Sequence, residues 1–179
     1  MMKNVLKIIG VLVLAFIGYV AYMLINPISP KDAVSYSSDD TKYEVVYSRP
    51  YKKDRLIFGA EEDGALVPFG KYWRTGANAA TTFETSSDIL FNGDALSAGK
   101  YALFTVPYKD SWTVTLSSDS DVFFAIAQPD PKLDVLKTEV PVKPSENLIE
   151  QFRIEFAEDS LGVSMSLGWE KTLISITLK

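Results

Sequence analysis

An alternation of apolar and polar residues with a period of two recurs from residue 42 to the C-terminus, and it constrains this chain more than any other feature. Tyr43, Val45 and Tyr47 alternate with Glu44, Val46 and Ser48, and Trp112, Val114 and Leu116 with Ser111, Thr113 and Thr115. Phe152, Ile154 and Phe156 repeat the pattern, as do Val163, Met165, Leu167 and Trp169, and then Ile174, Ile176 and Leu178. Extended backbone sends successive side chains to opposite faces, so each run has one core face and one solvent face. Turn residues separate the runs. Asn92-Gly93 supplies the positive φ angles of a tight hairpin, Lys109-Asp110 divides two further strands, and 158–160 and Glu170-Lys171 divide the last three.

About eight or nine strands with short connections, and no amphipathic helix after residue 26, predict an all-β fold. The expected architecture is an antiparallel, jelly-roll-like β-sandwich. Residues 129–137 (PDPKLDVLK) are expected to hold at most one helical turn.

The N-terminus obeys a different rule. Residues 8–25 read IIGVLVLAFIGYVAYMLI, 18 residues without a charge, preceded by Lys3 and Lys7. A helix of that length spans roughly 27 Å, near the thickness of bilayer hydrocarbon. The run is apolar on every side, and Tyr19 and Tyr22 lie toward its outer end, as interfacial aromatics do. A cleaved signal peptide is the competing reading, but the run exceeds the usual apolar length and no small-x-small site follows it. The expectation is an uncleaved anchor in a lipid bilayer through residues 8–25. Residues 1–7 form a cytoplasmic tip by the positive-inside rule, 26–33 a proline-bearing linker, and 34–179 one extracytoplasmic domain, periplasmic if the cell has two membranes.

Composition excludes several chemistries. The chain has no Cys and no His. It therefore lacks thiolate nucleophiles, zinc-thiolate sites, imidazole metal sites and a Ser-His-Asp triad. Beyond residue 26 there are 16 basic against 23 acidic residues, so no nucleic-acid partner is expected. No cofactor is expected and no metal. Asp119-Ser120-Asp121 and Ser38-Asp39-Asp40 are the only short acidic runs considered for Ca²⁺, and neither has a defined ligand count.

Residues 47–84 break the alternation. Here Tyr47-Ser48-Arg49-Pro50, Arg55-Leu56-Ile57-Phe58-Gly59 and LVPFGKYWRTGANAATT (66–82) concentrate Arg, aromatics, Gly and Pro. With the later stretch 96–107 (LSAGKYALFTVP), Trp112-Thr113-Val114 and Trp169-Glu170-Lys171, this pattern resembles the DUF2911 family over residues 34–179. The resemblance implies an exported, mainly β bacterial domain of unknown function. It carries no activity. Members commonly have a Glu in the block where this chain has Ala79.

Functional residues tend to sit on irregular chain held by rigid elements. The expected site is therefore Arg49, Arg55, Trp73, Arg74, Thr75 and Asn78. Guanidinium forks match carboxylate or phosphate, and Trp73 offers a flat face to a sugar or another apolar ring. The same arginines, paired with Asp54, Glu61 or Glu84, would instead only order a loop. The leading expectation is a non-catalytic domain that binds a small anionic or carbohydrate ligand, or an envelope partner. A glycan hydrolase using two of Glu44, Glu61, Glu62 and Glu84 is the alternative, and a purely structural domain the third.

Overall fold

The computed structural model describes residues 2–25, 28–38, 40–120, 128–160 and 162–179. Within its first helix, side chains are described at 7 and 9–22. That helix, α1, runs Met2–Ile25, and the side chains described along it are exposed. Among the described residues no helix is long and apolar enough to cross a membrane, so the span read at residues 8–25 rests on the sequence.

Strands dominate the rest of the described chain. Six strands form one antiparallel sheet in the order β1 (Lys31–Ser38), β2 (Thr41–Ser48), β5 (Thr81–Thr85), β8 (Gly99–Pro107), β9 (Ser111–Ser117), β10 (Asp134–Pro141). Four form the second, in the order β11 (Lys143–Asp159), β12 (Gly162–Leu178), β6 (Ile89–Phe91), β7 (Asp94–Leu96). The result is sandwich-like, divided six and four. A small parallel pair, β3 (Phe58–Gly59) with β4 (Val67–Pro68), is the exception to antiparallel pairing. The first strand starts at Lys31, inside the stretch read as linker, because residues 31–38 pair with 41–48 throughout.

The alternation places the core as expected. Val45, Phe83, Val114 and Leu116 point inward from one sheet, and Ile154, Met165, Leu167 and Ile176 from the other, all at most 1% exposed. Each buried side chain of this size stabilises the fold by about 1.5–3 kcal/mol relative to exposure. Asn92 (φ 52°) and Gly93 (φ 96°) turn β6 into β7, with Phe91 opposite Asp94. The turn at 108–111 is closed by Tyr108 N–H donating to the Ser111 carbonyl at 2.8 Å. A single 3-10 turn, Pro131–Leu133, is the helical element in 129–137.

Glu170-Lys171 is not a turn. It lies inside the 17-residue β12, and Glu170 holds φ 58° where the register against β11 shifts. The last three expected strands are therefore two long ones with a bulge. A left-handed residue in a strand gives the same polar, turn-like signature as a hairpin. The strands total twelve among the described residues, because two-residue and three-residue strands leave no readable alternation.

Candidate functional site

The bulge in β11 has a partner. Where residues 150–152 leave β12, they pair instead with Pro50–Lys52 of the chain that follows β2. Lys52 N–H donates to the Glu150 carbonyl at 2.6 Å and Phe152 N–H to the Pro50 carbonyl at 2.9 Å. Lys53 then takes φ 52°, and its N–H donates to the Glu150 carboxylate at 2.8 Å. This tight reversal presents Arg55. Its Nε–H donates to the Lys52 carbonyl at 3.1 Å and an Nη2–H to the Tyr51 carbonyl. Two of its N–H donors are thus used to fix the orientation of the guanidinium.

The second wall is the 73–78 segment. Trp73 pairs by backbone with Thr105 in both directions, at 2.8 and 2.9 Å, which stitches the segment to β8. Its ring enters the core, 5.0 Å from Phe152, 5.6 Å from Trp112 and stacked on Trp169 at 5.8 Å, centroid to centroid. Its indole N–H donates to the Gly76 carbonyl at 3.0 Å. Thr75 follows at φ 57°, rare for a β-branched residue, and is wholly buried. Its hydroxyl lies 3.1 Å from the Thr105 hydroxyl, and its carbonyl accepts from Thr81 at 2.6 Å. Asn78, at φ 62°, presents its carbonyl to an Nη1–H of Arg74 at 2.8 Å.

Between these walls lies a cleft of about 350 Å³, the size of a small-molecule site. Arg55 and Arg74 line it, with Asn78, Trp73 and the buried Trp169. No carboxylate is among its described lining residues. Ile28 and Ser29 close one side, and Leu66 another. Burial pushes the neighbouring Tyr72 phenol above its ordinary pKa, and the Arg74 charge pulls the other way.

Four of the six expected residues therefore meet. Arg49 does not. Its Nη1 pairs with Asp32 at 3.1 Å and its Nε–H donates to the Phe152 carbonyl at 3.3 Å, so it joins β1 to the second sheet. Thr75 lies behind the cleft, supporting it without lining it. Trp73 is core as much as wall, since it is 8% exposed. Ala79 is exposed and outside the cleft lining. Sequence reasoning missed Ile28, Ser29 and Leu66. They carry no charge or ring to mark them, and only the fold brings them to this wall.

The four carboxylates considered for hydrolysis also lie outside the cleft. Glu44 and Glu84 stand opposite each other on β2 and β5, beside Lys42, which lies 3.8 Å from Glu44. Glu61 pairs with Lys71 at 3.0 Å and Glu62 is exposed on the same 3-10 turn, Glu61–Asp63. A different, open groove of about 640 Å³ does hold two acids, Asp110 and Glu139, with Tyr108 and Phe69. Among the described residues no group of three or more acids gathers as a metal site, and Asp39 and Asp121 lie outside the described residues.

The family model described as a protein of unknown function, DUF2911, matches residues 29–178. The chain belongs to the DUF2911 family. No curated protein and no solved structure matches it. The DUF2911 match begins at Ser29, five residues before the start read from the sequence, and so takes in the whole of β1 and Ser29 of the cleft lining. Within the Trp73–Thr81 block that carries the resemblance, Trp73, Arg74 and residues 76–78 line the cleft.

Proposed function

We propose that this DUF2911 domain is a non-catalytic binding domain whose cleft takes a small ligand bearing a carboxylate or phosphate on an apolar or sugar body. The observation that carries the reading is the exposed Arg55 on a cleft whose described lining residues include Trp73 and no carboxylate. Arg55 is exposed and the described lining residues include no carboxylate, which favours an anion from solution held by charge-assisted hydrogen bonds. Ile28 and Leu66, with the partly accessible Trp73, supply the apolar contact.

The reading extends to location. The apolar side chains of α1 are exposed, with Val11, Leu14 and Phe16 each about two-thirds accessible. Such a helix is covered by lipid rather than water. We take it as the anchor, with the domain outside the membrane. Extraction of cell membranes with alkaline carbonate tests this, since an anchored chain stays in the pellet and a peripheral one is released.

Binding is tested by thermal unfolding of the full chain in detergent, with glucuronate, galacturonate and inorganic phosphate as probes. Stabilisation by one probe that disappears in Arg55→Gln supports the reading, and no stabilisation by any of them counts against it.

The hydrolytic alternative belongs elsewhere on the molecule, in the groove of Asp110 and Glu139. It requires turnover of chromogenic glycosides that Glu139→Gln abolishes.

A further inference from the structure

The open groove at the tip of the β8–β9 hairpin shares no described lining residue with the anion cleft. Its volume of about 640 Å³ lies within the range of small-molecule sites. Backbone bonds fix its walls. Gly70 N–H donates to the Pro107 carbonyl at 2.8 Å, which docks the chain after β4 onto the hairpin. Tyr108 N–H closes the turn onto the Ser111 carbonyl, and Val142 N–H donates to the Asp110 carbonyl at 2.9 Å, which ties the turn to the end of β10. A Cβ built on Gly70 would lie 3.6 Å from Tyr108 Cε1. The phenol ring thus rests with one edge against bare backbone, while the residue stays 48% exposed.

Strand register supplies the polar side. Trp112 and Val140 are paired and wholly buried, so their neighbours Ser111, Thr113 and Glu139 point outward from the sheet. Thr113 stands opposite Glu139. The Ser111 hydroxyl donates to the Glu139 carboxylate at 2.5 Å and so orients it. Phe69 is half-buried and packs against the hydrophobic core. Lys109 and Asp110 stand exposed on the turn, and among the described residues no ion pair or hydrogen bond claims either side chain.

This lining selects a class of ligand. Two carboxylates repel an anion, and the Lys109 ammonium disfavours a cation. An exposed aromatic ring beside donors and acceptors of both signs suits a neutral, polyhydroxylated body. The C–H face of a sugar packs on such a ring, and its hydroxyls donate to carboxylates through short, charge-assisted bonds. Tyr108, Asp110 and Glu139 line one groove, so one ligand can make both kinds of contact.

We propose that this groove is a second binding site, for a neutral glycan, in which a sugar ring stacks on Tyr108 and its hydroxyls are held, without cleavage, by Asp110 and Glu139. It depends neither on the anion site nor on the anchor.

The test is titration calorimetry of the full chain in a polyoxyethylene detergent, which carries no sugar. The probes are cellotetraose, maltotetraose, mannotetraose and N-acetylated chitotetraose, with Tyr108→Ala, Tyr108→Phe and Glu139→Gln beside wild type. The proposal predicts saturable binding of at least one probe, weakened about tenfold in Tyr108→Ala and in Glu139→Gln. Tyr108→Phe keeps the binding, because the ring and not its hydroxyl makes the stack. Tyr108 and Glu139 are both exposed, and melting temperatures verify that the variants fold. Glu139→Gln keeps the test valid if Tyr108→Ala folds poorly. No saturable binding of any probe overturns the proposal, as does equal affinity in the folded variants. Binding that survives Tyr108→Ala and is lost in Arg55→Gln belongs to the other cleft and also overturns it. Shortened sugars in the recovered titrate, read by mass spectrometry, overturn recognition without cleavage and support the hydrolytic alternative.

Discussion

Gly76 is the position at which the cleft wall is least able to change. A Cβ built there would meet the Ser48 carbonyl oxygen at 2.9 Å and the Thr81 hydroxyl at 3.2 Å. Neither neighbour can move away cheaply. Ser48 is paired with Lys31 in the β1–β2 ladder, and the Thr81 hydroxyl donates to the Thr75 carbonyl. The residue also sits at φ 150°, where a side chain is strained whatever the space. The backbone strain costs about 1–3 kcal/mol, and the forced contact a further 1–3 kcal/mol or so. Gly76→Ala should therefore destabilise by about 4 kcal/mol. In a domain of this size that is a fall in Tm of roughly 10 °C. Gly93→Ala is the control. It has φ 96° but nothing within 4 Å of the built Cβ, so only backbone strain of about 1–2 kcal/mol applies. Near-UV circular dichroism of the full chain reads both, because Trp73, Trp112 and Trp169 pack against one another in the core. Equal melting temperatures for the two variants would refute the argument that Gly76 is held by Ser48.

The indoles differ in a way that ranks their replacements. Trp73 Nε1–H is bonded to Gly76, whereas Trp112 and Trp169 bury their Nε1 without a partner among the described residues. Trp112→Phe removes an unsatisfied donor that offsets its cavity, so by equilibrium urea unfolding it should cost at least about 1 kcal/mol less than Trp73→Phe. Glu158 accepts from Tyr36 at 2.5 Å and Ser38 at 2.8 Å, and these bonds hold its pKa below the ordinary 4.5. A depressed folded-state pKa stabilises above the ordinary value and is lost as pH falls through the folded one. Tyr36→Phe should accordingly lower the urea midpoint at pH 7, with the difference shrinking below pH 4.5. Arg49→Gln breaks a half-exposed pair with Asp32 worth about 1 kcal/mol or less, and anion binding measured by titration calorimetry should be unchanged, since Arg49 does not line the cleft.

Strands with long alternation were legible because their burial has a period of two, as at Tyr43–Tyr47 and Val163–Leu167. Glu170 misled because a left-handed bulge residue and a hairpin residue are both polar and adjacent to a break in pattern. The site was legible in part. Arg55, Arg74 and Asn78 were marked by residue type and by irregular chain, which the fold does place on one cleft. Arg49 carries the same marks and is turned to Asp32, since charge type in a sequence does not reveal which neighbour claims it. Thr75 gave no sign of its burial, because its backbone strain and its bond to Thr105 are long-range consequences of Trp73 pairing with β8.

The most direct test of the central claim is calorimetric titration of the full chain in neutral detergent with glucuronate and with inorganic phosphate, for wild type and Arg55→Gln side by side. The account predicts saturable, one-to-one binding of at least one probe that weakens at high salt and falls at least tenfold in Arg55→Gln while the variant's melting temperature is preserved. No heat with either probe, or equal affinity in the folded variant, would contradict it.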